Sequence, residues 1–116
     1  MSKNYIKHLK EAKRRGYEVA LIFLWLVSPA EAVKRVAQRR VQGGHHIPEQ
    51  TIIRRYYAGI QNLLKWYLPL ATTAYIMNNS SEHSLKRLIA RKNKNGSMEI
   101  FDKKTWEELE KTADDR

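Results

Sequence analysis

Five arginines and a glycine–histidine loop are the residues here whose type and spacing could do chemistry. Arg35 and Arg39 are four apart and so share one helix face, with Arg40 directly after them. Gly43-Gly44-His45-His46 follows, and Arg54 and Arg55 come shortly beyond it. Planar guanidinium forks match the oxygens of a phosphate group. Two antiparallel helices joined at a hinge of Gly43 and Gly44 would aim these forks into one space. A mobile helical pair of that kind closes over a nucleotide and neutralises the charge that develops in phosphoryl transfer. The alternative is a solvated basic face, with Glu31, Glu49 and water as its partners.

Other chemistries find little support. His45 and His46 have no carboxylate or third histidine at ligand spacing, and His8 and His83 are isolated, so no metal site is expected. The chain has no cysteine, which removes disulfide scaffolds, thiolate zinc sites and cysteine nucleophiles together. Ser28 reads as a helix cap and Ser80-Ser81 as a turn, so no nucleophilic triad assembles and no catalytic residue is assigned. No Gly-x-x-x-x-Gly-Lys-Ser/Thr run occurs, so a phosphate-cradling loop is missing and intrinsic kinase activity is not expected. Trp25 lies inside an apolar run and reads as core, and Trp66 and Trp106 read as packing residues.

Apolar spacing identifies the elements that position the arginines. Residues 2–15 predict an amphipathic helix, with Tyr5, Ile6, Leu9 and Ala12 on one side, Ser2 as cap and Gly16 as terminator. The run Val19 to Val27 is apolar throughout and predicts a strand buried on both faces, as in a parallel sheet. Ser28-Pro29-Ala30-Glu31 opens a second helix, with Ser28 at the N-cap, Pro29 at the first helical position and Glu31 completing a capping box. Gly43-Gly44 ends it. A third helix runs from Pro48 or Glu49 to about Tyr67, where Pro69 forbids continuation. Ala74 to Met77 predicts a short strand, followed by turn chemistry at residues 78–81. Residues 88–92 and 97–101 flank Asn93-Lys94-Asn95-Gly96 as a hairpin, and Asp102 caps a final short helix. The expected organisation is one α/β domain over 1–116, with a lid-like helical pair at 31–67 and a C-terminal hairpin and helix at 82–116. A buried strand needs neighbours on its edges and helices on both faces. The remaining segments offer too little, so the sheet reads as partial and in need of completion.

The chain has 116 residues, which allows one domain. Hydrophobic residues make up 42% and charged residues 29%, a globular rather than disordered composition. The longest apolar run has nine residues against about 20 for a spanning helix, and the first fifteen are charged throughout. A cytoplasmic protein is therefore expected. Net charge is +10, and residues 1–67 hold 13 basic and 4 acidic side chains. That half should meet something anionic: nucleotide phosphates, a nucleic acid or an acidic partner chain.

Several short segments carry a resemblance in order. They are Arg15 to Val19, Phe23 to Leu26, Ser28-Pro29, Arg35 to Arg39, Gln42 to His45, Ile47 to Glu49, Arg54 to Tyr56, Asn62, Tyr67 to Ala71 and Asn79-Ser80. Together they resemble the C-terminal half of the zeta-toxin-like P-loop kinases, the group of predicted ABC-type ATPases, over about residues 5–80. The resemblance implies part of a P-loop kinase fold, with the P-loop, its lysine and the acidic catalytic residue in an N-terminal half that this sequence lacks. Zeta toxins use ATP to phosphorylate UDP-N-acetylglucosamine, so ATP with Mg2+ is the implied cofactor. Arg35, Arg39, His45, Arg54 and Arg55 stand at matching positions as phosphate-binding lid residues. Thr72 and Asn78 stand where the family's pattern is acidic. The implied partner is an N-terminal half-domain, or a second copy, that completes the sheet. Two other readings are a small basic nucleic-acid-binding module and an interaction protein that lends its sheet edge to another chain.

Overall fold

A computed structural model of the chain describes residues 3–44, 46–80 and 87–114. The elements are α1 (Lys3–Arg14), β1 (Ala20–Trp25), α2 (Pro29–Val41), α3 (Glu49–Asn62), a π-helical turn (Leu63–Tyr67), α4 (Leu68–Leu70), β2 (Thr73–Asn78), β3 (Arg87–Lys92), β4 (Met98–Ile100) and α5 (Lys103–Asp114). The four strands form one sheet in the order β1-β2-β3-β4. β1 runs parallel to β2, while β2–β3 and β3–β4 are antiparallel, so the sheet is mixed and open. The fold is therefore α/β with a parallel pair at one side and a hairpin at the other.

Local chemistry accounts for most boundaries. α1 ends in a Schellman motif, in which Gly16 (φ +87°) donates to the Lys13 carbonyl and Tyr17 to that of Ala12. Ser2, expected as its cap, lies outside the described residues. The Ser28 hydroxyl accepts from the Glu31 backbone at 3.2 Å, half of the expected capping box. The Asp102 carboxylate caps α5, accepting from the Thr105 N–H and hydroxyl, and these bonds hold it below the usual carboxylate range. The hairpin turns at Gly96 (φ +92°) as expected. Of the C-terminal hairpin and helix segment, residues 82–86 lie outside the described residues.

Two expectations are corrected. The third helix does not stop before Pro69. Leu68 donates to Leu63, an i→i−5 bond, and the wider turn carries the helix past a residue that has no N–H. Lys92 then caps the freed end, with Nζ 2.8 Å from the Leu68 carbonyl. Burial and the nearby Lys13 charge push that ammonium below its ordinary pKa.

The second correction concerns β1, which is an edge strand rather than a strand buried on both faces. Phe23 and Trp25 face a core that holds Ile60, Leu63, Ile76, Ala90 and Leu109. That core places α3 and α5 on one face of the sheet. On the opposite face Ile22 is 69% exposed, Leu24 44% and Tyr75 44%. The apolar run meant for two covered faces has only one here. The bare region is also lopsided. Ile22 pairs with Tyr75, Tyr75 with Arg91, and Arg91 with Glu99, so all four share that face. Arg91 and Glu99 form an ion pair at 2.7 Å, with Asn93 also on the Glu99 carboxylate. The hairpin side thus adds an ion pair to that face, with Arg91 also 5.7 Å from the exposed Phe101 ring, and the β1–β2 side presents hydrocarbon alone.

Candidate functional site

α2 and α3 pack against each other, as expected of the helical pair. Val36, Ala37 and Arg40 of α2 line a small cleft with Ile47, Glu49 and Ile52. Arg35 and Arg39 lie on a different row of α2, one turn apart. On α3 the inward row is Ile52, Tyr56 and Ile60, continued by Leu63 of the π-helical turn. Arg54 is two residues from Ile52, about 200° around the helix, and so occupies the outer row. Arg55 lies beside the β1 edge, lining a groove with Leu24, Leu26 and Tyr56. His45 lies outside the described residues.

The arginines differ sharply in their engagement. Arg35 is half-buried: Nε meets the Glu31 carboxylate at 3.1 Å and a terminal nitrogen donates to the Asn79 carbonyl at 2.6 Å. The Asn79 N–H in turn donates to the Trp25 carbonyl at 2.8 Å. Arg35 therefore ties α2 to the carboxyl ends of the two parallel strands, where open α/β sheets place their ligands. Arg39, Arg54 and Arg55 are exposed, and no ion pair or hydrogen bond engages their side chains among the described residues. Arg35 holds position and the other three are available to an anion. Arg35→Ala should lower stability by about 1.5–3 kcal/mol, the worth of hydrogen bonds to a charged group, read as a lower urea midpoint.

Gly43 and Gly44 have a definite local role. Gly43 (φ +103°) donates to the Arg40 carbonyl and Gly44 to that of Arg39, a second Schellman motif that ends α2. A Cβ on Gly44 would stand 2.9 Å from the Arg39 carbonyl oxygen, so the loop leaves α2 by a path only glycine permits.

The sequence did not single out two anchors and one helical glycine. The Tyr56 hydroxyl donates to the Leu26 carbonyl at 2.7 Å, fastening α3 to the chain just after β1. The Thr72 hydroxyl accepts the Val19 N–H at 2.9 Å, which gives the threonine at this position a structural use. Gly59 sits in the interior of α3 beside the same groove. Tyr56 carries a pattern signal, since it lies on the apolar row; a hydrogen bond spanning 30 residues has none. The tryptophans pack as expected: Trp25 is buried, Trp106 lies against the core, and Lys10 and Lys65 stand over the Trp66 ring at 4.9 and 5.3 Å.

Burial, then the nearby Tyr57 and Glu108, push the Tyr56 hydroxyl up to about 12 from 10.0. The folded chain then holds this proton more tightly than the unfolded one. The contribution is fully present below about pH 10 and disappears as the pH rises through about 12. Tyr56→Phe should cost about 1 kcal/mol at pH 7 and flatten the alkaline limb of the stability profile. Urea titrations at pH 7 and above pH 10 check both effects.

What fold and site together define is an α/β chain with an open mixed sheet, one bare apolar side and four exposed arginines, Arg39, Arg40, Arg54 and Arg55, on a helical pair. Compared with protein-family models, with curated proteins and with solved structures, the chain matches none. No helix among the described residues is long and apolar enough to cross a membrane, and no group of three or more metal-ligating side chains is found among them.

Proposed function

We propose that this chain is the lid-bearing C-terminal half of a zeta-toxin-like, ATP-dependent kinase that acts in the cytoplasm. By itself it transfers no phosphate, because the loop that cradles phosphates belongs to the half that completes it. ATP and Mg2+ are held by that other half, and the acceptor is a small molecule such as a UDP-amino sugar. Arg39 and Arg54, with His45, approach the phosphates from the helical pair when it closes at Gly43-Gly44, while Arg55 stays beside the β1 edge. Arg35 fixes the orientation of α2 beneath them.

The observation that carries this reading is the lopsided sheet. Ile22 and Leu24 of the unpaired edge strand and Tyr75 of β2 are exposed with no charged side chain among them, while the far side carries the Arg91–Glu99 pair beside Phe101. Exposed apolar surface of this kind marks a place where another structure sits. The helices that flank a parallel sheet continuing past β1 would cover it, and the run Val19 to Val27 has the composition of a strand inside such a sheet.

Sedimentation of the chain with and without the N-terminal half of a zeta-toxin-like kinase tests the reading. A one-to-one complex is expected, and Leu24→Pro, which blunts the edge, should prevent it. Two independent species at micromolar concentrations would contradict it.

A further inference from the structure

The unpaired edge of β1 has the features of a built receptor. The Val19 carbonyl accepts from Thr72 and Thr73, and the Trp25 carbonyl from Asn79, so odd-numbered residues address β2. Backbone direction alternates along a strand, which turns the N–H and C=O groups of Ala20, Ile22 and Leu24 to the open side. β1 contains no proline and no charge, the usual devices that blunt an edge. Beside it lies a groove of about 170 Å³ between β1 and α3, whose lining includes Phe23, Leu24, Leu26, Arg55, Tyr56 and Gly59.

Gly59 is the informative residue of that groove. It sits inside a helix, where glycine is a poor choice, and it does not have a positive φ that would require it. A Cβ at this position would meet nothing within 4 Å. No packing among the described residues needs the missing side chain, and the open space leaves room for a close approach from outside. Arg55 is exposed in the same groove, without a carboxylate partner among the described residues.

We propose that β1 pairs with an extended strand of an acidic partner chain, which seats one apolar side chain over Gly59 and a carboxylate on Arg55. The proposal rests on the reading of this chain as one half of a sheet and adds the chemistry of the surface that completes it. Charge selects the occupant: a second copy would bring a further +10, whereas an acidic chain is attracted and oriented.

The test uses the full chain and two labelled synthetic peptides, a valine–leucine core flanked by glutamates and the same core flanked by lysines. Fluorescence anisotropy should give at least about tenfold tighter binding of the glutamate peptide at low salt, and Arg55→Glu should shrink that preference severalfold although the net charge falls only from +10 to +8. Gly59→Leu should abolish binding although its urea midpoint rises, since leucine favours the helix and fills the groove. Leu24→Pro removes an edge N–H that the β1–β2 ladder does not use, and should abolish binding as well. Equal affinity for the two peptides, binding of neither, or undiminished binding by Gly59→Leu would overturn the proposal. So would a peptide-independent dimer that Leu24→Pro dissolves, because a second copy would then occupy the edge. None of these readouts involves phosphoryl transfer, so they fail or succeed separately from the kinase reading.

Discussion

On the proposed kinase reading, Arg39→Ala in the chain assembled with its N-terminal half should lower turnover by about 10²–10³-fold while ATP affinity changes far less. The expectation follows from where Arg39 stands. It lies one turn beyond Arg35 on the same row of α2, yet it is exposed and has no partner among the described residues. A lid arginine meets phosphate oxygens on closure, so its contribution is made mostly in the transition state and appears in kcat. Arg54→Ala should act in the same direction. Lysine should not restore the loss, since an ammonium cannot offer the planar fork. Arg35→Ala provides the contrast, because it should appear first as lost stability. Saturation kinetics with both substrates separates these outcomes. Unchanged turnover in Arg39→Ala and Arg54→Ala would reduce the arginines to a solvated basic surface.

The largest stability effect is expected at the centre of the sheet. Ile76 is fully buried, pairs with Phe23 on one side and Ala90 on the other, and belongs to the main core. Ile76→Ala should cost about 2–5 kcal/mol, from lost transfer energy and the cavity left behind. Small domains have about 5–15 kcal/mol in all, and a chain with a bare sheet face should lie toward the low end. The variant should therefore show a urea midpoint close to zero denaturant at room temperature. A loss below about 1 kcal/mol would mean that this strand is not where the core is fixed.

The sequence was most legible where a short-range rule decides the backbone. Ser28 at a helix start, Gly16 and Gly43 at helix ends, Gly96 in a hairpin and Asp102 before α5 all act within four residues, and each does as its chemistry dictates. It was less legible where distant segments decide. The helix through Pro69 survives because a π turn at Leu63–Tyr67 absorbs the missing N–H and Lys92, 23 residues on, takes up the free carbonyls. The burial of Val19 to Val27 is hidden in the sequence for the same reason. Its composition describes a strand covered on both faces, and whether the cover exists depends on what lies beside it. The arginine row of α2 was visible as a spacing of four, but the capture of Arg35 by Glu31 and Asn79 needed the end of β2 to be in place. Gly59 could have been noticed as a glycine inside a helical pattern; only the open space around it gives the position meaning.

The central claim is that this chain supplies the lid and lacks the phosphate cradle of a kinase. Labelled ATP and UDP-N-acetylglucosamine, incubated with the chain alone, with the N-terminal half of a zeta-toxin-like kinase alone, and with the two together, test it most directly. The account predicts transfer of label only in the mixture. Turnover by the chain alone, from material free of host kinases, or no turnover by the assembled pair, would contradict it.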